Sequence, residues 1–363
     1  MKIEPFGLER WLLKPSEIEI AGGGVTKLKL EDITQQIDYA QLVSYGVTRG
    51  ARQLREEIAE WFTGVGQENI LLTTGTSEAN LLLNLHLLSE GGEYVAIFPE
   101  YGQTTPVAEA LGCLVKRVLL QEDSDWQLDL EDVKRAVTKR TRVIFFDNPN
   151  NPTGAVLTRD QIRGICEIAE EVGAYVVCDN ALRGSELNEL PAATPFENYE
   201  RGVITGSMSK LGMTGLRIGW IIGDGKLIED CWKIKDYTTL SHSGFGERLA
   251  TVAMQRENLH RYIQRNIRIS KRNLELLIDW IPENAESISW VPPKAGFTGF
   301  PRFQSKLSSV EFCAKFLQEE GVLMSPGEYF GLDKHFRINI GGDESLFKEA
   351  LKRLAKYLSN LPH

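Results

Sequence analysis

Ser207-Met208-Ser209-Lys210, followed by Gly212, Gly215, Arg217 and Gly219, is the stretch from which the rest of the chain can be read. It sets one lysine beside two hydroxyls, several glycines and an arginine. An ε-amine in that setting can condense with the aldehyde of a cofactor while its neighbours neutralise the cofactor's phosphate. Lys210 is therefore the candidate covalent anchor, and Ser207, Ser209 and Arg217 are candidate phosphate ligands. Taken alone, the same residues also describe a strand end and a glycine-rich surface turn, so the surrounding sequence has to decide.

Working outward, short apolar runs at 70–73, 94–98, 143–146, 174–178, 202–205 and 218–222 read as buried strands. Periodic segments at 77–89, 104–111, 130–137 and 158–172 read as helices between them. This alternation predicts an α/β domain with a mainly parallel sheet covered on both faces. Ligands in such folds gather at the turns that leave the C-terminal ends of the strands. Further on, 247–280 reads as one or two long helices, and Pro292-Pro293, the apolar 295–300 stretch and helical patterns at 309–320 and 344–358 read as a smaller α+β domain. The expected division is an N-terminal segment 1–35 that joins the small domain or covers the cleft, a large domain 36–264 and a small domain 265–363.

Composition narrows the class. The 363 residues carry a net charge of -9, which argues against a general nucleic-acid or anionic-membrane surface. No basic stretch followed by an apolar run marks a signal peptide or a membrane span. The five cysteines are widely spaced with no C-x-x-C pair, and the five histidines are dispersed. No metal site is expected, and a reducing cytoplasm is.

The turns carry the chemistry. Thr74-Gly75-Thr76-Ser77 lies between a predicted strand and a predicted helix, where unpaired N–H groups and hydroxyls can hold a phosphate; Thr76 or Ser77 could equally cap the helix. Asp147-Asn148-Pro149-Asn150-Asn151-Pro152-Thr153-Gly154 follows a strand, and its prolines display Asn148 and Asn151 rigidly. An amide held this way can donate to the phenolic oxygen of a cofactor ring. Asp179 ends a buried strand and needs a partner, either a protonated ring nitrogen or a structural pairing onto the following turn. Tyr101 could stack on a flat heterocycle. Tyr45 could offer a phenol to a phosphate or simply pack at a domain edge. Arg337 alternates with apolar residues on a late strand and could clamp a substrate carboxylate or form a surface salt bridge.

In this order, the motifs resemble the fold type I pyridoxal-phosphate enzymes, specifically the class I/II aminotransferases, over nearly the whole chain. The resemblance implies a three-layer large domain around a seven-stranded sheet, a smaller domain, and a homodimer with shared active sites. It implies that Lys210 anchors pyridoxal 5'-phosphate and shuttles protons, Asp179 pairs with the ring nitrogen, Asn151 contacts the ring hydroxyl and Tyr101 stacks on the ring. Gly75, Thr76, Ser77, Ser207, Ser209 and Arg217 would hold the phosphate, with Tyr45 donated by the partner subunit. Arg337, Asn151 and Gly24 would face an amino acid or a 2-oxo acid. Two departures stand out. The tyrosine usual three residues after the cofactor aspartate is Leu182, and the Lys210-to-Arg217 spacing is one residue short. The segments 4–9 and 179–184 resemble a branch near capreomycidine synthase. The implied reaction is amino-group transfer; the alternatives are elimination, cyclisation or oxidation on the same cofactor, or an inactive cofactor-binding regulator.

Overall fold

The computed structural model describes residues 2–34, 44–284 and 286–360; the expected boundary between residues 35 and 36 lies outside them. At its centre is a seven-stranded sheet built from β1 (Ile70–Thr73), β2 (Glu93–Phe98), β3 (Leu114–Leu119), β4 (Thr141–Asp147), β5 (Tyr175–Asp179), β6 (Gly202–Ser207) and β7 (Gly219–Ile222). Their spatial order is β1-β7-β6-β5-β4-β2-β3. All pairings are parallel except those of β7, which runs against both β1 and β6.

Successive strand residues point to opposite faces, and both faces are covered. On one, Val95, Ile97, Ile144, Phe146, Val176 and Cys178 pack with residues of the helices Leu130–Ala136 and Arg159–Val172. On the other, Ala96, Val143, Phe145, Val177 and Val203 pack with α1 (Thr76–Leu87) and with the helix Gly225–Lys235. This is why the strands read as continuous apolar runs. β3 lies at the sheet edge, where its exposed and half-buried positions admit Lys116 and Arg117. Those charges hid it from a search for apolar runs. Lys116 is paired across to the buried Glu93 of β2, Nζ–Oε2 2.7 Å.

The 247–280 pattern resolves into two helices, Gly244–Met254 and Arg256–Glu283. The second contains residue 265 and serves two cores. Leu259 and Tyr262 join the cluster beneath β1 and β7, while Leu274, Leu277 and Ile281 pack with Phe312, Phe316, Phe336 and Leu354 from the C-terminal elements. Trp11, Ile18, Ile20 and Ala21 of the N-terminal segment belong to that second cluster. The strand Ile18–Glu19 pairs in parallel with Val322–Leu323. β8 (Phe336–Asn339) is the middle strand of a small antiparallel sheet, flanked by Thr298–Gly299 and Ser325–Pro326. Arg337 is thus carried on a strand packed against the N-terminal segment.

Candidate active site

Strand register brings several chain turns to one end of the sheet. Asp147 is in register with Asp179, Asp179 with Thr205, and Ser207 with Gly219. A cavity of about 310 Å³ opens there, lined among others by Glu9, Thr76, Ser77, Tyr101, Asn151, Asp179, Leu182, Ser207, Ser209, Lys210 and Arg217. Asp179, at the end of β5, and Lys210, on the 3-10 turn Met208–Leu211 that follows β6, share this one space.

At one end, Gly75 precedes α1 with φ +80°, a backbone conformation suited to glycine. A Cβ placed there would stand 2.4 Å from Nη2 of Arg217. The guanidinium lies against that turn, with Nη2 donating to the Thr74 carbonyl at 3.2 Å. Arg217 itself adopts a left-handed backbone, φ +53°, after the 3-10 turn Thr214–Leu216. The shortened Lys210-to-Arg217 spacing therefore does not remove Arg217 from the cavity. The buried Oγ1 of Thr76 has no hydrogen-bond partner. An orphaned hydroxyl, the free N–H groups of a 12-residue helix, three serines and a guanidinium form a donor set for a many-oxygened anion.

Along the floor, Asp179 is buried and held from both sides: Nδ2 of Asn80 donates to its Oδ2 at 2.9 Å, and the Ala181 N–H to its Oδ1 at 2.9 Å. Asn80 is in turn fixed by the Thr205 hydroxyl, which donates to its Oδ1 at 2.9 Å. Burial pushes the Asp179 carboxyl up from its ordinary pKa, while the bonds from Asn80 and Ala181 and the charge of Lys210 pull it back. Asp147 and Glu100 are buried beside it. Desolvation, and then the charge of Asp179, hold Asp147 well above the usual carboxylate range. Desolvation also raises Glu100 to about 7 against hydrogen bonds from Thr105 and Thr104. Such a floor favours a cation above it.

Lys210 stands at the other side. Its Nζ donates to the carbonyl of Gly23 at 2.6 Å. Burial first, then the charge of Arg337, lowers its pKa to about 8. Arg337 is 1% exposed. Its Nε and Nη2 donate to the Ala21 carbonyl at 3.2 and 2.6 Å, and its Nη1 donates to Oδ1 of Asn151 at 3.0 Å. The guanidinium lies 4.7 Å from the Phe330 ring centroid. No carboxylate of the described residues comes within 4.0 Å of it; its hydrogen-bond partners are neutral oxygens, and the charges of Glu9 and Glu19 act from farther off. Asn148 and Asn150 hold the proline loop instead of facing the cavity: Asn148 Nδ2 donates to Ala193 O at 3.0 Å, and Asn150 Nδ2 to Pro99 O at 2.8 Å.

Most of the expected residues are brought together; Gly24 is an exception, and Tyr45 is expected from a partner subunit. Gly24 does not line the cavity; its carbonyl accepts from Asn339 Nδ2 at 2.8 Å, and the neighbouring Gly23 is the glycine that meets Lys210. Tyr45 is 84% exposed and pairs with Ser243, away from this chain's own cavity. Leu182 closes the floor with Val25 and Phe297, so an apolar contact stands where a phenol was usual. Sequence reasoning missed Asn80, Gly23, Asp147, Glu100 and Glu9. Asn80 could have been found, since it lies one helical turn beyond Thr76. Glu9 carries no local signal; it reaches the site because the Tyr101 hydroxyl donates to its Oε1 at 2.5 Å.

Residues 25–354 match the family of class I and II aminotransferases, and the chain belongs to that family. Capreomycidine synthase of Streptomyces vinaceus is 26% identical over 97% of this chain and 93% of its own length. A solved PLP-dependent aminotransferase from Streptococcus suis superposes with a TM-score of 0.93 at 30% identity, covering both chains fully. The solved PLP-dependent cyclase OrfR superposes with a TM-score of 0.90 at 26% identity over 99% of this chain and 98% of its own. Further relatives are aspartate aminotransferases of archaea and bacteria. The cofactor of this family is pyridoxal 5'-phosphate, and the donor set described above fits it: an anion cup, a buried carboxylate and a lysine amine, in one cavity.

Proposed function

We propose that the protein exchanges an amino group between an L-amino acid and a 2-oxo acid. The observation that carries this reading is the meeting of Lys210 and Arg337 at Gly23. The Gly23 carbonyl holds the lysine amine at 2.6 Å. A Cβ at Gly23 would lie 2.9 Å from Nη1 of Arg337 and 3.6 Å from Nζ of Lys210. A carboxylate clamped by the guanidinium therefore has its α-carbon beside the amine.

When bound, the cofactor supplies an aldehyde that takes up the amino group and a ring that accepts the electrons left at the α-carbon. Thr76, Ser77, Ser207, Ser209 and Arg217 would hold its phosphate, Asp179 its ring nitrogen, Asn151 its ring hydroxyl and Tyr101 its face. Arg337 orients the substrate by its α-carboxylate. Lys210, with a pKa of about 8, has a sizeable neutral fraction at mildly alkaline pH and removes the α-proton at Nζ. Asn80 keeps the carboxylate of Asp179 aimed.

The test is absorbance of the loaded enzyme against a panel of amino acids, with product identification. The 2-oxo acid and the aminated cofactor are the expected products, and Lys210→Ala should lower the rate by roughly 10⁴-fold. Amino transfer that persists in Lys210→Ala would end this reading. A second reading, elimination, cyclisation or oxidation of the side chain on the same cofactor, is favoured by Leu182 and by the likeness to capreomycidine synthase and OrfR. Ammonia, a cyclised product or peroxide would select it.

The working unit we infer is a homodimer with shared sites. Tyr45, Val47, Tyr237, Leu240 and Phe245 are exposed. They are gathered where Tyr45 pairs with Ser243 and the Gly46 N–H donates to the His242 carbonyl. Thr238 and Thr239 of the same loop donate to Glu78 on α1, beside the phosphate end. A second copy on this face would set each Tyr45 near the other copy's phosphate cup.

A further inference from the structure

We propose that Glu9 reads the far end of the substrate, and that the amino acid taken here carries a positive charge on its side chain, an amine or a guanidinium. The proposal rests on the reading above and names its substrate class. Its basis is the inventory of charges around the cavity. Three cations face it or border it. Arg217 belongs to the phosphate end, Lys210 to the reacting carbon, and Arg337 to the α-carboxylate. Among this chain's described residues at the cavity, no further cation is left for a side-chain carboxylate. Of the anions, Asp147 and Asp179 lie on the floor at the strand ends. Among the described residues that line the cavity, Glu9 is the anion from the N-terminal segment, on the side where Tyr101 and Arg337 stand.

Glu9 is held in place. It sits on the short helix Gly7–Trp11, which is pinned by the buried Leu8 and by Trp11, whose Nε1 donates to the Met324 carbonyl at 2.7 Å. Phe6, just before that helix, packs edge-on against Tyr101 with ring centroids 5.2 Å apart. The Tyr101 hydroxyl fixes Oε1. The carboxylate has no Lys, Arg or His nitrogen within 4.0 Å among the described residues; the charges of Lys210 and Arg337 reach it only from farther off. A cationic side chain would complete it with a charge-assisted hydrogen bond. An apolar side chain would strip its water without replacement, and a second carboxylate would meet a like charge. The site is thus built against aspartate and glutamate, although aspartate aminotransferases are among its relatives.

The experiment uses the cofactor-loaded enzyme and two analogues that lack an α-hydrogen and so bind without turnover: α-methylornithine, and α-methylnorvaline, which differs by the terminal amine. Spectral titration should show the ornithine analogue binding on the order of tenfold tighter or more. In Glu9→Gln, which keeps an acceptor for Tyr101, the two should bind within about threefold, through loss of the cationic ligand alone. Equal binding in the unaltered enzyme, or a preference that survives Glu9→Gln, overturns the proposal. Half-reactions with ornithine, norvaline and aspartate run beside it, with ornithine expected fastest and aspartate slowest; faster reaction of aspartate than of ornithine also overturns it. If none of the three reacts, the amino-transfer reading fails, while the titration still decides the role of Glu9.

Discussion

The two sides of the cavity are assembled differently. On the cofactor side, Thr76, Asp179 and Ser207 lie at or just beyond strand ends of one sheet, and register places them together. On the substrate side, Arg337 meets a carbonyl 316 positions away and Tyr101 a carboxylate 92 positions away. The first side is a set of local strand-to-turn motifs held by sheet topology. The second is a set of long-range meetings between the N-terminal segment, the proline loop and β8. The difference predicts that changes on the first side disable the chemistry for every substrate, and changes on the second alter which substrate is bound.

The largest expected effect tests the first half of that statement. Asp179→Asn keeps the shape but removes the charge proposed to face the ring nitrogen, and kcat should fall by roughly 10³-fold with every amino acid tried. Steady-state rates, normalised to bound cofactor by absorbance, measure it. A loss confined to one substrate would break the comparison.

Next in size is a stability effect beneath the cofactor side. Glu100 titrates at about 7 in the fold because burial disfavours its charge. In the unfolded chain it ionises near the ordinary value of 4.5. Between those values the folded state holds the extra proton, so stability contributed at this position falls as pH rises from about 4.5 to 7. Glu100→Gln removes the dependence and should stabilise the cofactor-free protein at pH 8 by roughly 3 kcal/mol, with no gain at pH 4.5. Denaturant unfolding at the two pH values checks this. A gain equal at both would show that the acid is not what burdens the floor.

On the substrate side, Arg337→Lys loses the planar fork that binds a carboxylate through two parallel bonds. KM for the amino acid should rise about 30-fold while kcat changes much less, and cofactor affinity should stay put. Steady-state kinetics together with a cofactor titration separate the three quantities.

The same contrast explains what could be read from the sequence. Six of the seven strands announced themselves as apolar runs because nearly all their residues are buried beneath the layers on both faces of the sheet. β3 did not, because an edge strand tolerates Lys116 and Arg117. Lys210, Asp179 and Asn151 were legible because each is fixed by its own strand and turn. Asn80 was overlooked although its helical spacing from Thr76 was available. Gly23 and Gly24 are indistinguishable in sequence, because a run of three glycines holds no clue to which carbonyl meets an amine on another element. Glu9 is the extreme case. Its place depends on the packing of Leu8 and Trp11 against distant parts of the chain, which no window of sequence contains.

A pair of glycines gives the finest test. Gly75 has φ +80° and a hypothetical Cβ 2.4 Å from Arg217 Nη2; Gly23 has none of that backbone strain, and its Cβ would lie 2.9 Å from Arg337 Nη1. In both places the obstructing atom is the end of a flexible side chain, so each variant should fold with the guanidinium displaced. Gly75→Ala adds the cost of a left-handed backbone and shifts the arginine at the phosphate end; cofactor affinity should weaken about tenfold. Gly23→Ala shifts the arginine at the carboxylate end; KM should rise about fivefold with cofactor affinity unchanged. Equilibrium titration with pyridoxal 5'-phosphate and steady-state kinetics on both variants give four numbers. Two large and two small, in the crossed pattern, are required if the cavity has separable sides; a Gly23→Ala enzyme that releases its cofactor would merge them, because Lys210 as well as Arg337 borders that carbon.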